Sequence, residues 1–189
     1  RSSDLGYAVV EGEESAMPDG ATYTPDVEIE IETPAEETMG MDAREAAEPF
    51  YDLQWDKQEQ KIRQVHRTAT GAGARIGIVD DGVLGANPDR EVVHPDLPNV
   101  RPDLSANFTD DGNGPGPLND DHGTHCAGTA AAVDNGVGVV GMAPDAELVD
   151  LRVFSGTGAS FADITAAVIV GAAPEGAPVN VGTAEEPEV

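Results

Sequence analysis

IGIVDDG, residues 76–82, and DDHGTHCAGT, residues 120–129, decide the fold of this chain. The first stretch is a β-branched apolar run that ends abruptly in Asp80 and Asp81, a pattern typical of a buried parallel strand with polar residues at its carboxyl end. Open α/β sheets carry their sites at that edge. The second stretch is rich in small residues and predicts a helix that begins at His122.

The chain continues with the same alternation of strands and helices. Two turn-rich loops flank the predicted helix, and a second buried strand and a second helix follow; these four segments are residues 111–121, 134–144, 146–154 and 160–173. Strand, helix, strand, helix in this order implies a parallel sheet with right-handed crossovers. We therefore predict an α/β fold.

Length and charge limit the function classes. At 189 residues the chain is long enough for one domain with a core plus an appendage. It has 36 acidic against 10 basic residues, a net charge of -26, which repels nucleic acid and anionic membranes, so we expect neither as a partner. Its only lysines are Lys57 and Lys61, and such a surface indicates a halophilic source. The alternative is an acidic tail that inflates the total charge, and both interpretations stay open.

The amino-terminal segment differs in composition from the rest. Short apolar pieces alternate there with Pro, Gly and acidic clusters, so we expect a poorly ordered acidic segment with strand fragments. VEIEIE, residues 27–32, fits either an edge strand or solvated charge. Aromatic and apolar residues recur over residues 48–65 and predict a short amphipathic helix, which starts the folded domain near Glu48.

Two absences in the sequence bear on location and redox state. No apolar run reaches the roughly 18 residues of a membrane span, and the first residues lack the layout of a signal peptide. Because the chain begins at Arg1, an export signal upstream of it is compatible with the sequence. Cys126 is the single cysteine, which excludes an intrachain disulfide.

Asp80 and His122 are the two groups that a hydroxyl nucleophile needs. The imidazole takes the proton, while the carboxylate fixes the tautomer of the ring and stabilises the imidazolium. A zinc site at His122 and His125 is a weaker interpretation, since the zinc-protease helix needs histidines four apart with a glutamate beside the first. We expect His125 to be an ordinary core histidine.

IGIVDDG and DDHGTHCAGT together resemble the Asp and His signatures of the subtilases, the subtilisin-like serine endopeptidases, whose triad runs Asp, His, Ser along the chain. The likeness covers residues 48–181 and implies a doubly wound, three-layer α/β/α fold and a polypeptide substrate. It makes Asp80 the orienting carboxylate and His122 the general base. It also implies a substrate-binding edge at Ser155, Gly156, Thr157 and Gly158, where substrate backbone would pair by β-augmentation.

Neighbouring residues leave the subgroup open. The second aspartate, Asp81, and the acids before the histidine, Asp120 and Asp121, resemble the kexin and furin branch and would favour basic side chains near the scissile bond; the alternative is acidic surface without a role. Cys126 resembles the proteinase K branch instead. We expect it one helical turn after His122, as a small hydrophobe and not as a catalytic thiol.

The resemblance further implies a structural calcium ion at the loop VDNGVGV. Its ligands would be the carbonyls of Val133, Val137 and Val139, the side chain of Asn135, and the carboxylates of Asp96 and Glu48. The alternative is a plain Asn-Gly turn.

Upstream, ATYTPDVEIEIE, residues 21–32, resembles the closing strand of the inhibitory propeptide of secreted subtilases. We therefore expect residues 1–47 to be a propeptide remnant and acidic linker, the propeptide to be a partner, and the protein to be extracellular. A simple acidic linker is the competing interpretation.

The chain departs from the family after its second helix. The family requires an oxyanion Asn and a Ser in a Gly, Thr, Ser context, and the serines after His122, Ser155 and Ser160, stand too early and in another context. We expect residues 48–189 to be the amino-terminal part of a truncated peptidase domain, inactive without its carboxyl-terminal half. The alternative is a non-catalytic remnant or binding module, and the DNA downstream of Val189 would decide between the two.

Overall fold

The computed structural model describes residues 28–30, 48–118, 120–156 and 158–173. In chain order the elements are β1 (Glu28–Glu30), a 3₁₀ turn (Tyr51–Leu53), α1 (Trp55–Glu59), α2 (Ile62–Val65), β2 (Arg75–Ile78), β3 (Ala106–Asn107), α3 (His122–Ala131), β4 (Glu147–Arg152), β5 (Gly158–Ser160) and α4 (Phe161–Ala172).

A three-stranded parallel sheet in the order β2-β4-β3 forms the centre of the fold. Arg75 pairs with Glu147 at one end of the β2-β4 ladder and Ile78 pairs with Asp150 at the other. Strand β4 is buried at its last five positions, as a central strand covered on both faces requires. The predicted parallel α/β fold is confirmed, and both predicted strands are present.

Helices cover the two faces of this sheet. Leu148 of β4 belongs to a hydrophobic cluster with Ala127 and Ala131 of α3, whereas Val149 and Leu151 belong to a second cluster with residues of α4. Successive side chains of a strand point to opposite faces, so α3 and α4 lie on opposite sides of β4. This arrangement is the three-layer order that the resemblance implies.

The helix predicted over residues 48–65 is divided in two. Lys61 has a φ of 55° in the left-handed region, which ends one short helix at Glu59 and starts the next at Ile62. This amino-terminal segment is tied to the domain through Gln54, whose side-chain amide donates to Val140 O at 2.9 Å and accepts from Val140 N at 3.0 Å.

The short strand β1 pairs antiparallel with β5, aligning Glu28 with Ser160 and Glu30 with Gly158. Residues 179–181, VNV, which resemble the start of the family's next buried strand, lie outside the described part of the chain. Among the described residues, no helix has the length and apolarity needed to cross a membrane.

Candidate active site

The structure joins Asp80 and His122 directly. Asp80 follows the end of β2, and His122 is the first residue of α3. The Nδ1 of His122 lies 2.9 Å from Asp80 Oδ1 and 3.0 Å from Asp80 Oδ2, and Asp80 is 8 % exposed. The hydrogen bond to Asp80 raises the pKa of His122 above its ordinary value, against the opposing effect of burial. With Nδ1–H donating to the carboxylate, Nε2 is left as the basic nitrogen.

Backbone contacts fix the position of Asp80. Its carbonyl accepts the amide of Val153 at 2.9 Å, which extends the pairing of β2 and β4 past the end of β2. Its Oδ1 also accepts the amide of Asp81 at 2.8 Å. The carboxylate that faces the imidazole is therefore held from its backbone and at one of its oxygens.

Helix α3 approaches the strand end very closely at Gly123. A Cβ on this residue would lie 2.6 Å from Gly82 O and 2.7 Å from Asp81 Oδ1, closer than real Cβ contacts. Glycine at position 123 therefore allows the start of α3, and with it His122, to reach Asp80.

Two further acids are buried: Asp81, next to Asp80, and Asp150, which interacts electrostatically with Asp81. Burial, with the charges of Asp80 and Asp120, raises the pKa of Asp81 to about 6. Burial also raises the pKa of Asp150 to about 7, and Asp150 Oδ2 accepts the amide of Gly116 at 2.6 Å. The site therefore contains carboxyl groups that titrate near neutral pH.

Sequence reasoning missed Asp150 and its neighbour Arg152. Arg152 is 1 % exposed and its guanidinium pairs with Asp111, which anchors the loop that follows β3. The charged residues Asp150 and Arg152, which interrupt the apolar run LVDLRVF, were the available signal.

Cys126 lies against the imidazole, with Sγ 3.8 Å from His122 Nδ1 and 4.0 Å from Nε2. Burial and the negative charge of Asp80 raise the pKa of its thiol to about 11, so the sulfur carries a proton at neutral pH. Ligand atoms of Asp80, His122 and Cys126 lie within 4.8 Å of one another, as in a metal site. Because Nδ1 already bonds both oxygens of Asp80, the arrangement fits a base and its orienting carboxylate better.

His125 is exposed, so the expectation of a core histidine was wrong. The buried positions of α3 are Gly123, Ala127 and Ala131, each four residues from the next, and His125 lies midway between two of them on the outward side of the helix.

The residues predicted to bind substrate have different environments. Ser155 and Gly156 are exposed in a turn closed by a hydrogen bond from Ser155 N to Gly158 O at 3.0 Å, and Gly158 begins β5, while Thr157 lies outside the described residues. Asp121 is exposed before α3. Asp81 is buried, and its Oδ1 accepts Gly123 N at 2.6 Å.

The predicted calcium ligands lie around one loop. Glu48 and Asp96 are both buried and both bond to it: Glu48 Oε1 accepts Gly136 N at 2.8 Å, and Asp96 Oδ2 accepts Val139 N at 2.9 Å. The backbone of Asp96 also accepts the amide of Val133 at 3.1 Å. Asn135 Oδ1 accepts the amide of Val137 at 2.9 Å.

Comparisons with known proteins place the chain in a family. Residues 71–180 match the model of the subtilase family. The chain is 39% identical over 97 residues to Subtilisin Savinase of Lederbergia lenta, covering 49% of this chain and 30% of that protein. It is 37% identical over 133 residues to Thermitase of Thermoactinomyces vulgaris, covering 69% of this chain and 44% of that protein.

A solved protease structure shares the fold of this chain. It is a protease from Pseudoalteromonas arctica PAMC 21717, with a TM-score of 0.52 and 28% identity, covering 71% of this chain and 47% of the other. The fold and the matched relatives define the class, that of subtilisin-like serine proteases. Because the family model covers more than half of its length, the chain belongs to the subtilase family. It spans less than half the length of each of these three proteins.

Proposed function

We propose that this chain is the amino-terminal part of the catalytic domain of a serine endopeptidase. The observation that carries the proposal is the pair of hydrogen bonds, 2.9 and 3.0 Å long, between His122 Nδ1 and the carboxylate of Asp80. These bonds leave Nε2 free to take a proton from a hydroxyl group, and the carboxylate stabilises the imidazolium that forms. The same imidazolium then returns the proton to the leaving amine of the peptide.

The nucleophilic serine in this proposal is neither of the two serines that follow His122. Ser160 Oγ accepts the amide of Asp163 at 3.1 Å and caps α4, and Ser155 belongs to the turn before β5. We therefore propose that the chain by itself does not hydrolyse peptides, since a general base without its nucleophile activates at most water.

Fluorophosphonate labelling and casein hydrolysis test this proposal. They are run on the 189-residue chain and on a longer chain joined to a subtilase second half that carries the serine. We expect labelling and hydrolysis only of the longer chain, abolished by His122→Ala and unchanged by the matched variant His125→Ala. Labelling of the short chain that His122→Ala removes would place the nucleophile within these residues. A longer chain that folds but is not labelled would favour a non-catalytic binding module.

A structural calcium ion at the loop around residues 133–139 is part of the proposal. Glu48 Oε2 and Asp96 Oδ1 are buried without a hydrogen-bond partner among the described residues. Burial raises the pKa of both carboxyl groups, and the neighbouring carboxylate of Asp134 adds to the effect at Glu48. Oxygen atoms that lack donors suit a hard cation, so Glu48, Asp96 and Asn135 with the loop carbonyls would hold Ca²⁺ and stiffen the loop.

Calcium titration by calorimetry, with thermal unfolding in parallel, tests this site. We expect calcium to bind and to raise the unfolding midpoint, and Asp96→Asn to remove both effects. Asp89→Asn, an exposed acid, is the matched control. Equal calcium binding by the Asp96→Asn variant and the parent chain would refute the site.

We also propose that residues 1–47 are a propeptide remnant and that β5 is the edge on which a polypeptide lies. The support is the antiparallel pairing of Glu28–Glu30 with Gly158–Ser160, since an extended segment adds to an exposed edge by the same backbone hydrogen bonds that would hold substrate. Adding a peptide of residues 21–40 in trans to the longer, active chain should inhibit it, and a scrambled peptide should not.

An extracellular location belongs to the proposal as well. The matched relatives include one named an intracellular serine protease, from Paenibacillus polymyxa, so the family alone does not fix the compartment. Immunodetection in culture medium and in washed cells of the source organism would decide it.

A further inference from the structure

The second aspartate of the DDG turn contacts both halves of the candidate catalytic pair. The Asp81 backbone amide donates to Asp80 Oδ1 at 2.8 Å, and the Asp81 carboxylate Oδ1 accepts from Gly123 N at 2.6 Å. Gly123 is the residue after His122. One residue therefore holds the orienting carboxylate with its main chain and the start of the histidine's helix with its side chain.

Helix α3 depends on this contact for its amino-terminal cap. Asp121 stands at the N-cap position but its side chain makes no capping hydrogen bond. An α-helix has unpaired amide groups in its first turn, and a carboxylate there is favoured both as an acceptor and by the helix dipole. Asp81 supplies that carboxylate from the end of β2, so the cap of the helix and the support of Asp80 are the same residue.

Asp81 is too deeply buried to contact a substrate directly. Asp81 is 6 % exposed, and its Oδ1 lies 2.7 Å from the position that a Cβ of Gly123 would occupy. A side chain enclosed between a strand end and a helix end cannot move far without displacing the helix.

We propose that Asp81 is a positioning residue, which holds His122 against Asp80 by capping α3 at Gly123. The inference rests on the proposed function, in which Asp80 and His122 form the catalytic pair. It assigns Asp81 to the geometry and charge of that pair instead of to the preference for basic substrates.

The charge of Asp81 gives the contact a pH dependence. The titratable groups that interact with it are three acids, Asp80 on the same strand end, Asp120 in the loop before α3 and Asp150 on β4, together with His122 and the thiol of Cys126 on α3. Burial and the charges of Asp80 and Asp120 raise the pKa of Asp81 to about 6. Ionised Asp81 is also one cause of the raised pKa of His122, after Asp80. Protonation below pH 6 therefore weakens the bond to Gly123 and removes a charge that favours the imidazolium.

Nuclear magnetic resonance of the 189-residue chain tests the proposal without any need for hydrolysis. In the parent chain we expect the Gly123 amide proton to resonate far downfield above pH 6 and to move upfield, with a midpoint of about 6, as the pH is lowered. In Asp81→Asn, which keeps an oxygen acceptor and loses the charge, this titration should vanish and the pKa of His122 should fall. In Asp81→Ala, which loses both, the His122 Nδ1 proton should exchange too fast to be observed.

Asp89→Asn, an exposed acid on the loop after β2, is the control and should leave both titrations unchanged. A role in stability alone would lower the unfolding midpoint of Asp81→Asn and leave the titration of His122 in the folded chain as it was. That result, or a Gly123 amide shift that is constant from pH 4.5 to 8 in the parent chain, would overturn the proposal. The pH titration of the Gly123 amide in the parent chain tests the proposal even if both Asp81 variants unfold.

The outcome is distinguishable from a failure of the proposed function. One outcome is that the extended chain is not labelled by fluorophosphonate while the pKa of His122 still falls in Asp81→Asn. In that case Asp81 positions His122 as proposed, but the chemistry of the pair is not peptide hydrolysis. If labelling succeeds and His122 does not respond to Asp81→Asn, the peptidase proposal holds and the positioning role is refuted.

Discussion

Substitution of Asp150 by Asn should make the chain's stability less dependent on pH. Asp150 is 0 % exposed on the central strand, and its Oδ1 has no hydrogen-bond partner among the described residues. A buried carboxyl group in this state resists ionisation, which is why burial raises its pKa to about 7. Asparagine keeps an oxygen for the amide of Gly116 and carries no charge at any pH.

The size of the effect follows from the shift of the Asp150 pKa. The pKa of about 7 in the folded chain lies well above 3.8, the ordinary pKa of an aspartate side chain. The folded chain therefore binds the proton more tightly than the unfolded chain, so this group stabilises the fold fully below pH 3.8 and loses that contribution as the pH rises through 7. From pH 5 to pH 8 the loss is about 2–3 kcal/mol. Asp150→Asn lacks this loss, so its free energy of unfolding relative to the parent should rise by that amount over the same range.

Urea unfolding followed by circular dichroism, at half-unit steps from pH 5 to pH 8, measures this difference. Only the change of the difference with pH is used, because a constant offset from the altered hydrogen bonds cancels. Asp145→Asn, which neutralises an exposed acid, should run parallel to the parent chain. A difference between Asp150→Asn and the parent that stays constant within about 0.5 kcal/mol would show that the folded carboxyl titrates normally, and the argument from burial would fail.

Three other predictions concern packing, the thiol and salt. Gly141→Ala should destabilise the fold by about 1–3 kcal/mol in urea unfolding, because the new Cβ would overlap the backbone of Ala131 and Ala132. Gly128→Ala is the control and should be neutral or stabilising, because its Cβ would meet no atom within 4 Å. Equal effects of the two substitutions would contradict this packing. Iodoacetamide should alkylate Cys126 at pH 8 more slowly than free cysteine, by about tenfold or more, since the pKa of its thiol is raised to about 11. A rate equal to that of free cysteine would refute the raised pKa. The thermal midpoint should rise between low and molar KCl because the net charge of -26 is then screened, and a flat or falling midpoint would remove the halophile interpretation.

The predictable parts of this fold are those whose signal lies in a short, local pattern. The apolar run before Asp80 predicts the strand end, and the small residues after His122 predict a helix that can approach it closely. Together they bring Asp80 and His122 into contact. Strand β3 has two residues, Ala106 and Asn107, too few for any period to be read. The break between α1 and α2 depends on the positive φ of Lys61. The identity of this residue does not predict that angle, because lysine rarely adopts it.

The burial of Asp150 and Arg152 could not be predicted from the sequence for a different reason. Asp150 and Arg152 stand out as charged residues in the apolar run of β4, but a hydropathy pattern does not show that they are buried or which partners they have. Their burial depends on partners distant in sequence, Gly116 for Asp150 and Asp111 for Arg152, which become neighbours only when the sheet is assembled. His125 could have been assigned correctly, because the four-residue spacing of Gly123, Ala127 and Ala131 already defines the buried face of α3.

Two kinds of electrostatics act on this protein, and salt separates them. The net charge of -26 acts over distances comparable with the Debye length, which falls from about 10 Å at 0.1 M salt to about 3 Å at 1 M. The hydrogen bonds from His122 to Asp80 and from Gly123 to Asp81 are at most 3.0 Å long, and both carboxylates are buried. Salt ions screen such buried contacts much less than surface charges. Molar salt should therefore stabilise the fold while the pKa of His122 stays raised. The acidic surface should therefore determine the salt concentration at which the chain is most stable. The buried acids determine the position and the pKa of His122.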